Sequence, residues 1–121
     1  MILSLHQFNT EKIMNDLKSI IKNIRLIISD VDGVITDGAI YLASNGKEHK
    51  QFTVEDGAGV AFSKLANIPV AFISGRFSLA TTYRMQEMKV DYCLQGNLNK
   101  IQPFEKLKKI YKVENNEIAY I

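Results

Sequence analysis

The chain of 121 residues has a single cysteine, only two prolines and no tryptophan. Cys93 therefore cannot form a disulfide within the chain, and it lies in the apolar run Tyr92–Leu94 with no histidine nearby to activate it. We expect a buried, reduced thiol rather than a reactive one. Internal repeats, low-complexity segments and linkers rich in proline, glycine or serine are also missing, which predicts one domain over residues 1–121.

The sequence also lacks a strong excess of charge and any long apolar run. The net charge is +2 and charged residues make up 23% of the chain, so neither nucleic acid nor a membrane surface is an expected partner. No stretch approaches the roughly 18 apolar residues of a membrane span, and the first residues show no signal-peptide pattern. Apolar residues are 46% of the chain, enough for a core, and we expect a cytoplasmic protein.

Short apolar segments alternate with segments of helical spacing. Nearly continuous apolar segments are typical of parallel strands covered on both faces. The predicted strands are Leu26–Ser29, Val70–Ile73, Tyr92–Leu94 and Ile118–Ile121. Four helices are predicted. The first is capped by Thr10 and has an apolar face made of Ile13, Leu17, Ile20, Ile21 and Ile24. The others span Val60–Asn67, the segment from the cap Ser78 to about Met88, and a segment with Pro103 in its first turn that runs to about Tyr111.

A β-hairpin is predicted between the first strand and the second helix. Asn45-Gly46 is a strong short hairpin signal, and it is flanked by Ala39–Leu42 and Glu48–Phe52. The complete order predicts an α/β fold, a Rossmann-like, mostly parallel sheet with flanking helices and a projecting β-hairpin. Sheets of this class bind their ligands at the carboxyl ends of the strands, so reactive side chains are expected at those positions.

Two aspartates, Asp30 and Asp32, follow the first strand in the segment DVDGVITDG, residues 30–38. In an extended segment, side chains two residues apart point the same way. Two adjacent carboxylates repel each other unless a cation or a shared proton relieves them, and magnesium suits such oxygen ligands. One carboxylate can then attack phosphorus while the other moves protons. An ordinary turn rich in Asp and Gly is the alternative interpretation.

Three other motifs with similar residues are excluded by single positions. An EF-hand loop would need its closing glutamate at Tyr41. A Walker loop would need a lysine at Ala39, and a dinucleotide-binding motif would need a glycine at Phe62. The segment around the two aspartates is therefore not a calcium loop or a nucleotide-binding loop of these types.

Two further candidate groups follow the later strands. Ser74-Gly75-Arg76 comes after the second strand, where a hydroxyl, free backbone N–H groups and a guanidinium can bind phosphate oxygens. Lys100 follows the third strand. Taken alone, the tripeptide also fits a plain strand-to-helix turn, and the lysine also fits a solvated basic face.

A carboxylate pair, a hydroxyl and a lysine, each after a successive strand, resemble the motifs of the haloacid dehalogenase superfamily. The resemblance narrows further. The segments DVDGVITDG (30–38), FTVEDGAG (52–59), SGR (74–76) and QGNLNK (95–100), with the Asn45-Gly46 hairpin, are similar to the cap-less 3-deoxy-manno-octulosonate 8-phosphate phosphatase family. This resemblance extends over Ile24–Ile121, nearly the whole chain.

The resemblance implies a magnesium-dependent phosphatase that works through an aspartyl-phosphate. Asp30 would be the nucleophile and a Mg²⁺ ligand. Asp32 would be the general acid/base and would give the metal its backbone carbonyl as a second ligand. Ser74 and Lys100 would hold phosphoryl oxygens, because phosphoryl transfer is catalysed mainly by positioning and charge neutralisation. The residues that the resemblance places against the substrate are Asp32, Thr53, Val54, Glu55, Asp56, Gly57, Gly75, Arg76, Arg84 and Lys100.

The implied partner is a small sugar-acid phosphate, either 3-deoxy-manno-octulosonate 8-phosphate or a nonulosonate 9-phosphate, and the implied pathway is lipopolysaccharide sugar synthesis. Ala61 stands where relatives often carry lysine or arginine, which leaves both substrates open. Family members form homotetramers in which the hairpin of one subunit packs at a neighbour's active site. We therefore expect a homo-oligomer.

The chain departs from the family pattern at its end. In the family, the strand that begins at Ile118 runs into a Gly-Asp-Asp motif whose carboxylate completes the magnesium site, whereas this chain ends at Ile121. We expect a domain that lacks its C-terminal part, weakened magnesium binding and little or no phosphatase activity. The alternative function is an inactive family member that only binds sugar phosphate or associates with related subunits. An unrelated, non-enzymatic binding module would require the ordered Asp, Ser and Lys to be accidental.

Overall fold

A computed structural model describes the backbone of residues 2–121 and the side chains from residue 10 onward. The helices in this range are α1 (Ile2–Asn23), α2 (Val54–Leu65), α3 (Leu79–Glu87) and α4 (Ile101–Tyr111). The strands are β1 (Leu26–Ser29), β2 (Tyr41–Leu42), β3 (Glu48–His49), β4 (Val70–Ile73), β5 (Cys93–Leu94) and β6 (Ile118–Tyr120). A short 3-10 turn, Asn115–Glu117, precedes β6.

The main sheet has four parallel strands in the order β5-β4-β1-β6. Ile28 at the centre of the sheet pairs with Ala71 of β4 on one side and with Tyr120 of β6 on the other. Strands β2 and β3 form a separate antiparallel hairpin. This arrangement confirms the predicted α/β fold with a parallel sheet, flanking helices and a projecting hairpin.

Successive strand residues point to opposite sides of the sheet, and each side packs against helices. Leu26 and Ile28 pack on one face in a buried cluster that includes Leu107 of α4. On the other face, Phe72 packs with Val60 of α2 and with Met85 of α3, among others. Two-sided burial explains why β1 and β4 have nearly continuous apolar sequences rather than an alternating pattern.

The second helix begins six residues earlier than the sequence predicts, at Val54 rather than Val60. Gly57 and Gly59 lie within this helix although glycine has low helix propensity. In the structure Thr53 stands at the extended N-cap position, and its hydroxyl donates to the Oδ2 atom of Asp56 at 2.8 Å. The acidic first turn suits the helix dipole, and tertiary packing outweighs the two glycines.

The prediction that Thr10 caps the first helix is wrong, because α1 begins at Ile2. No proline or glycine interrupts residues 2–9, so the helix continues upstream without a local penalty. The residues predicted along one apolar face are Ile13, Leu17, Ile20, Ile21 and Ile24, and α1 ends just before the last of them. The first four are 47–60% exposed, so the described chain does not cover this face.

The third helix begins directly after Ser78, as predicted, but the Ser78 side chain does not cap it. The buried hydroxyl has no hydrogen-bond partner among the described residues. The backbone N–H of Ser78 instead donates to the Oε1 atom of Gln95 at 2.9 Å, which ties the start of α3 to the end of β5. The predicted ends of this helix and of the fourth helix agree with the structure.

The hairpin and the shorter strands differ from prediction only in length. The hairpin turns at Asn45-Gly46 as predicted, and β2 and β3 each span two residues of their predicted segments. Tyr92 lies just before β5, and Ile121 lies just after β6. The free thiol of Cys93 is partly buried, and burial raises its pKa to about 11. Among helices of the described range, none is long and apolar enough to cross a membrane.

Candidate active site

The first component of the site is Asp30, which directly follows β1. Its backbone N–H donates to the carbonyl oxygen of Ile121 at 2.9 Å, so the ends of β1 and β6 lie side by side. Its Oδ1 atom accepts a 2.7 Å hydrogen bond from the backbone N–H of Val31. The carboxylate is three-quarters buried, and the hydrogen bond from Val31 holds it at the carboxyl edge of the sheet.

The loop after Asp30 is shaped by two glycines and one threonine. Gly33 and Gly38 have φ angles of +80° and +79°, which favour glycine because it has no Cβ. Their N–H groups both donate to the Oγ1 atom of Thr36 at 3.1 Å. The hydroxyl of Thr36 thus closes the loop that turns the chain back beyond Asp32.

Asp37 closes the next turn of this segment. Its Oδ1 atom accepts a 3.0 Å hydrogen bond from the N–H of Ala39, and its Oδ2 atom accepts one from the hydroxyl of Tyr41. The hydrogen bond from Tyr41, and to a lesser extent that from Ala39, holds the pKa of Asp37 below its usual range. The same contact raises the pKa of Tyr41. Asp37 therefore has a local structural role, joining the Asp30 loop to the hairpin.

Ser74 is the second component and lies at the end of β4, 1% exposed. Its Oγ atom is 3.4 Å from the Oδ2 atom of Asp32. The same oxygen donates to the carbonyl of Arg76 at 2.9 Å and accepts from the Arg76 N–H at 3.2 Å. Gly75 lies within this tight turn. The Ser74 hydroxyl thus donates within its own turn, and its oxygen lies beside the carboxylate that the sequence predicts as the general acid/base.

Lys100 is the third component, at the N-cap position of α4. Its Nζ atom contacts the Oδ2 atom of Asp30, and this hydrogen bond raises the pKa of Lys100. Asn99 accepts the N–H of Ile101 at 3.1 Å, which helps to fix the first turn of the helix. The structure therefore brings Asp30, Asp32, Ser74 and Lys100 together at one edge of the sheet.

Two residues of the hairpin also contact this site, although they are not among the site residues predicted from the sequence. Lys50 contacts the Oδ1 atom of Asp32, and its side chain is only 4% exposed. Glu48 accepts a 2.6 Å hydrogen bond from the guanidinium of Arg76. That bond is the main reason that the pKa of Glu48 lies below its usual value. The spacing of Glu48 and Lys50, two residues apart in a predicted strand, is the signal that could have identified them.

The predicted substrate residues at the start of α2 form a second group. The Arg84 guanidinium donates to the carbonyl of Thr53 at 2.6 Å and to Glu87 at 2.7 Å, and it lies over the ring of Phe52. Within the part of the chain that is described, no hydrogen bond or ion pair joins Arg84 to the carboxylates of the site. Gly57 faces the Arg84 guanidinium closely, since a Cβ at Gly57 would lie 3.2 Å from it. Arg84 thus holds the start of α2 against α3.

Two of the remaining predicted substrate residues, Thr53 and Asp56, border on the Asp30 loop. A pocket of about 280 Å³ is lined by Val34, Ile35, Thr36, Asp37, Gln51, Thr53 and Asp56. Val54 is 81% exposed in the first turn of α2. The backbone N–H of Glu55 itself and the Thr53 hydroxyl keep the pKa of the Glu55 carboxyl below its usual value. This pocket joins the aspartate loop to the segment Thr53–Asp56.

The oxygen groups at this edge are of the kind that a hard divalent cation prefers. Magnesium in proteins is held through one or two carboxylates, with water and substrate phosphate completing its octahedron. The sequence predicts the Asp30 carboxylate and the backbone carbonyl of Asp32 as its protein ligands. Among the described residues, no group of three or more His, Cys, Asp or Glu side chains is arranged to hold a metal ion. The donor set therefore suits a magnesium ion that shares its coordination with phosphate, not a closed protein cage.

Comparison with known proteins points to one group of enzymes, although no family model matches the chain. The chain is 39% identical over 100 residues to the 3-deoxy-D-manno-octulosonate 8-phosphate phosphatase of Salmonella typhi, covering 83% of this chain and 53% of that protein. It is 38% identical to the Escherichia coli K12 phosphatase with the same coverage. The chain thus spans about half the length of the curated relatives it matches.

Solved structures give the same result. A putative haloacid dehalogenase superfamily (subfamily III A) hydrolase from Legionella pneumophila matches with a TM-score of 0.90 and 34% identity, over 93% of this chain and 62% of that one. The 3-deoxy-D-manno-octulosonate 8-phosphate phosphatase of Moraxella catarrhalis matches with a TM-score of 0.83 and 36% identity, over 88% of this chain and 62% of that one. That structure is a complex with magnesium, phosphate and the sugar acid.

Proposed function

We propose that this chain belongs to the 3-deoxy-D-manno-octulosonate 8-phosphate phosphatase family of the haloacid dehalogenase superfamily, and that its site performs phosphomonoester hydrolysis on a sugar-acid phosphate. The observation that supports this proposal most directly is the meeting of Lys100 with Asp30 and of Ser74 with Asp32 at one edge of the sheet. A nucleophile, a proton carrier and two phosphate-binding groups are the parts that phosphoryl transfer requires.

In the first step, an oxygen of Asp30 attacks phosphorus while the bond from phosphorus to the sugar oxygen breaks. Asp32 in its protonated form gives its proton to the departing sugar oxygen. The product is a phosphate ester on Asp30, and Lys100 offsets the charge on its oxygens. Ser74 and the N–H groups of the turn at Gly75 hold the phosphoryl oxygens in place.

In the second step, Asp32 takes a proton from water, and the water oxygen attacks phosphorus. The bond between phosphorus and Asp30 breaks, which releases inorganic phosphate and restores both carboxyl groups to their starting states. A magnesium ion held by the Asp30 carboxylate and the backbone carbonyl of Asp32 would neutralise charge on the phosphoryl oxygens when bound. Arg76 lies beside this site and is available for the carboxylate of a sugar acid once it leaves Glu48.

The test is magnesium-dependent phosphate release from 3-deoxy-manno-octulosonate 8-phosphate and from a nonulosonate 9-phosphate, with Asp30→Asn as the inactivating variant. Asp91→Asn is the matched control, because Asp91 is an exposed carboxylate away from the site. Turnover that disappears in Asp30→Asn and persists in Asp91→Asn supports hydrolysis. Equal turnover in both variants would refute hydrolysis at this site. The ratio of the wild-type rates on the two sugar-acid phosphates decides which of them is the substrate.

A second candidate is binding of sugar phosphate without turnover. It is favoured by one observation, that the described residues contain no third carboxylate positioned with Asp30 and Asp32 for a metal ion. Under this proposal the 121-residue chain binds magnesium weakly and releases little phosphate. Calorimetric titration with the two sugar-acid phosphates distinguishes the candidates, since binding without phosphate release supports only the second.

We also propose that residues 1–121 fold as one domain that associates with further copies. The hairpin and the start of α3 border a cavity of about 670 Å³ that includes the exposed side chains of Leu42, Phe77, Leu79 and Tyr83. Apolar groups clustered in this way suit a protein contact. Light scattering measures the assembly directly, and a monomer at all concentrations would contradict it.

A further inference from the structure

Lys50 is the most buried charged side chain at the site, and its surroundings define its contribution. Its Nζ atom contacts the Oδ1 atom of Asp32 and lies 3.4 Å from the Oε1 atom of Glu48. Only 4% of its side chain is exposed. An ammonium group without water is strongly unfavourable unless carboxylates compensate it, so this lysine depends on both partners.

The hairpin places Lys50 in this position through the two-residue repeat of extended chain. Residues 48 and 50 turn inward and are partly buried, whereas residues 47, 49 and 51 are exposed. The side chains of Glu48 and Lys50 therefore point to the same side, toward the end of β1. Because Asp32 follows β1 and Lys50 follows β3, their contact ties the hairpin to the aspartate loop.

The charges at this contact form a continuous chain. Arg76 donates to Glu48 at 2.6 Å, Glu48 lies beside Lys50, and Lys50 contacts Asp32. At the far end, Asp32 presents its other oxygen, Oδ2, to Ser74 at 3.4 Å. Lys50 thus holds one oxygen of Asp32 and leaves the second oxygen on the side where Ser74 would hold a phosphoryl group.

We propose that Lys50 is a positioning residue that keeps Asp32 in the orientation from which it exchanges protons with substrate and water. The catalytic meaning of this inference rests on the proposed phosphatase function. Its structural content does not, because the contact and its effect on the Asp32 side chain are measurable without turnover. The hairpin would then belong to the active site of its own chain.

The first test measures the Asp32 side-chain rotamer by NMR, from three-bond couplings between Cγ and the backbone N and C′ atoms in labelled protein. The wild type is expected to show one χ1 rotamer, and Lys50→Met is expected to average between rotamers. Lys50→Arg, which retains the cation, should restore a single rotamer at least in part. Lys47→Met is the control, because Lys47 is an exposed lysine of the same hairpin. If Lys50→Met does not fold, Lys50→Gln takes its place.

The second test is a double-mutant cycle of Lys50→Met with Asp32→Asn, measured by urea unfolding. Direct contact predicts that the two changes are non-additive by roughly tenfold in the unfolding equilibrium constant. In an active preparation, Lys50→Met should lower kcat by roughly tenfold with little change in KM, since it disturbs proton transfer rather than binding.

Three results would overturn the inference: a single Asp32 rotamer in Lys50→Met, additive unfolding constants, or a wild-type kcat in that variant. Absence of Asp30-dependent turnover in the wild type would instead count against the proposed function. In that case the rotamer and the cycle still decide whether Lys50 positions Asp32. The two proposals therefore fail through different measurements.

Discussion

The Nζ atom of Lys100 contacts the Oδ2 atom of Asp30, although the two residues are 70 positions apart in the sequence. Asp30 follows β1 and Lys100 follows β5, and β4 lies between these strands in the sheet. The contact therefore spans the carboxyl edge of three parallel strands. It places a cation beside the proposed nucleophile, and the hydrogen bond to Asp30 raises the pKa of Lys100. The lysine remains charged throughout the physiological pH range.

Replacement of Lys100 is expected to weaken phosphate binding. Lys100→Met removes the cation that would offset the charge on phosphoryl oxygens, and we expect at least roughly tenfold lower affinity for inorganic phosphate with magnesium present. Phosphorus NMR titration measures this affinity. Lys106→Met is the control, because Lys106 is an exposed lysine of the same helix. Equal affinities for the two variants would show that Lys100 does not bind phosphate.

Two glycine substitutions are expected to have opposite effects on stability. A Cβ at Gly33 or at Gly59 would meet no atom within 4 Å, so packing does not distinguish them. Gly33 has a φ of +80°, and Gly33→Ala should destabilise the fold by about 1–2 kcal/mol. Gly59 lies within α2, where alanine is the better helix former, and Gly59→Ala should stabilise by about 0.5–1 kcal/mol. Urea unfolding of both variants checks the signs, and the same sign for both would contradict this account.

Arg84 is expected to contribute to stability through its contacts with the start of α2. Arg84→Met removes the 2.6 Å hydrogen bond to the Thr53 carbonyl and the position over Phe52. We expect a loss of about 2 kcal/mol. Arg25→Met is the matched control, since the Arg25 side chain is 61% exposed and its 3.3 Å ion pair with Glu117 should contribute less than about 1 kcal/mol. Thermal and urea unfolding measure both losses. Equal losses of stability in Arg84→Met and Arg25→Met would show that the Arg84 contacts contribute no more than a surface ion pair.

The pH dependence of stability should reveal the Glu48–Arg76 pair. The hydrogen bond from Arg76 lowers the folded-state pKa of Glu48 below its usual 4.5. The pair therefore contributes its full stability above the unfolded pKa, and this contribution disappears as pH falls through the folded pKa. Glu48→Gln should accordingly cost about 1 kcal/mol near neutral pH and little in strong acid.

Urea unfolding of wild type and Glu48→Gln from about pH 7 to about pH 3 measures that difference. The control is Glu105→Gln. Glu105 is an exposed residue whose only ion pair, among the described residues, is a 3.9 Å contact with Lys108. If the stability of wild type relative to Glu48→Gln increased as the pH falls, the predicted sign would be wrong.

Several elements were predictable because local sequence is sufficient to specify them. The largely apolar segments Leu26–Ser29 and Val70–Ile73 correspond to β1 and β4, since a strand buried on both faces carries apolar residues at successive positions. Asn45-Gly46 placed the hairpin turn, because Gly46 adopts a positive φ there. The order of these elements also predicted the parallel sheet at whose edge Asp30 lies.

Other features depended on residues far apart in the chain, and local signals misplaced them. The sequence predicts the second helix from Val60, but α2 begins at Val54, where Arg84 holds the Thr53 carbonyl. Ser78 stands where a cap is expected, yet its backbone binds Gln95 and its hydroxyl has no described partner. Helix and cap propensities amount to about 1 kcal/mol each, so a few tertiary contacts outweigh them.

Sequence by itself thus determined the order of the strands along the chain and which polar side chains follow their ends, because hydrophobic periodicity and turn residues are local properties. Only the tertiary structure decided which charges meet. The burial of Lys50 against Asp32 and the pairing of Arg76 with Glu48 depend on how the hairpin folds back over the sheet edge. Ion pairs of this kind form between residues distant in sequence, and no local pattern specifies their distance.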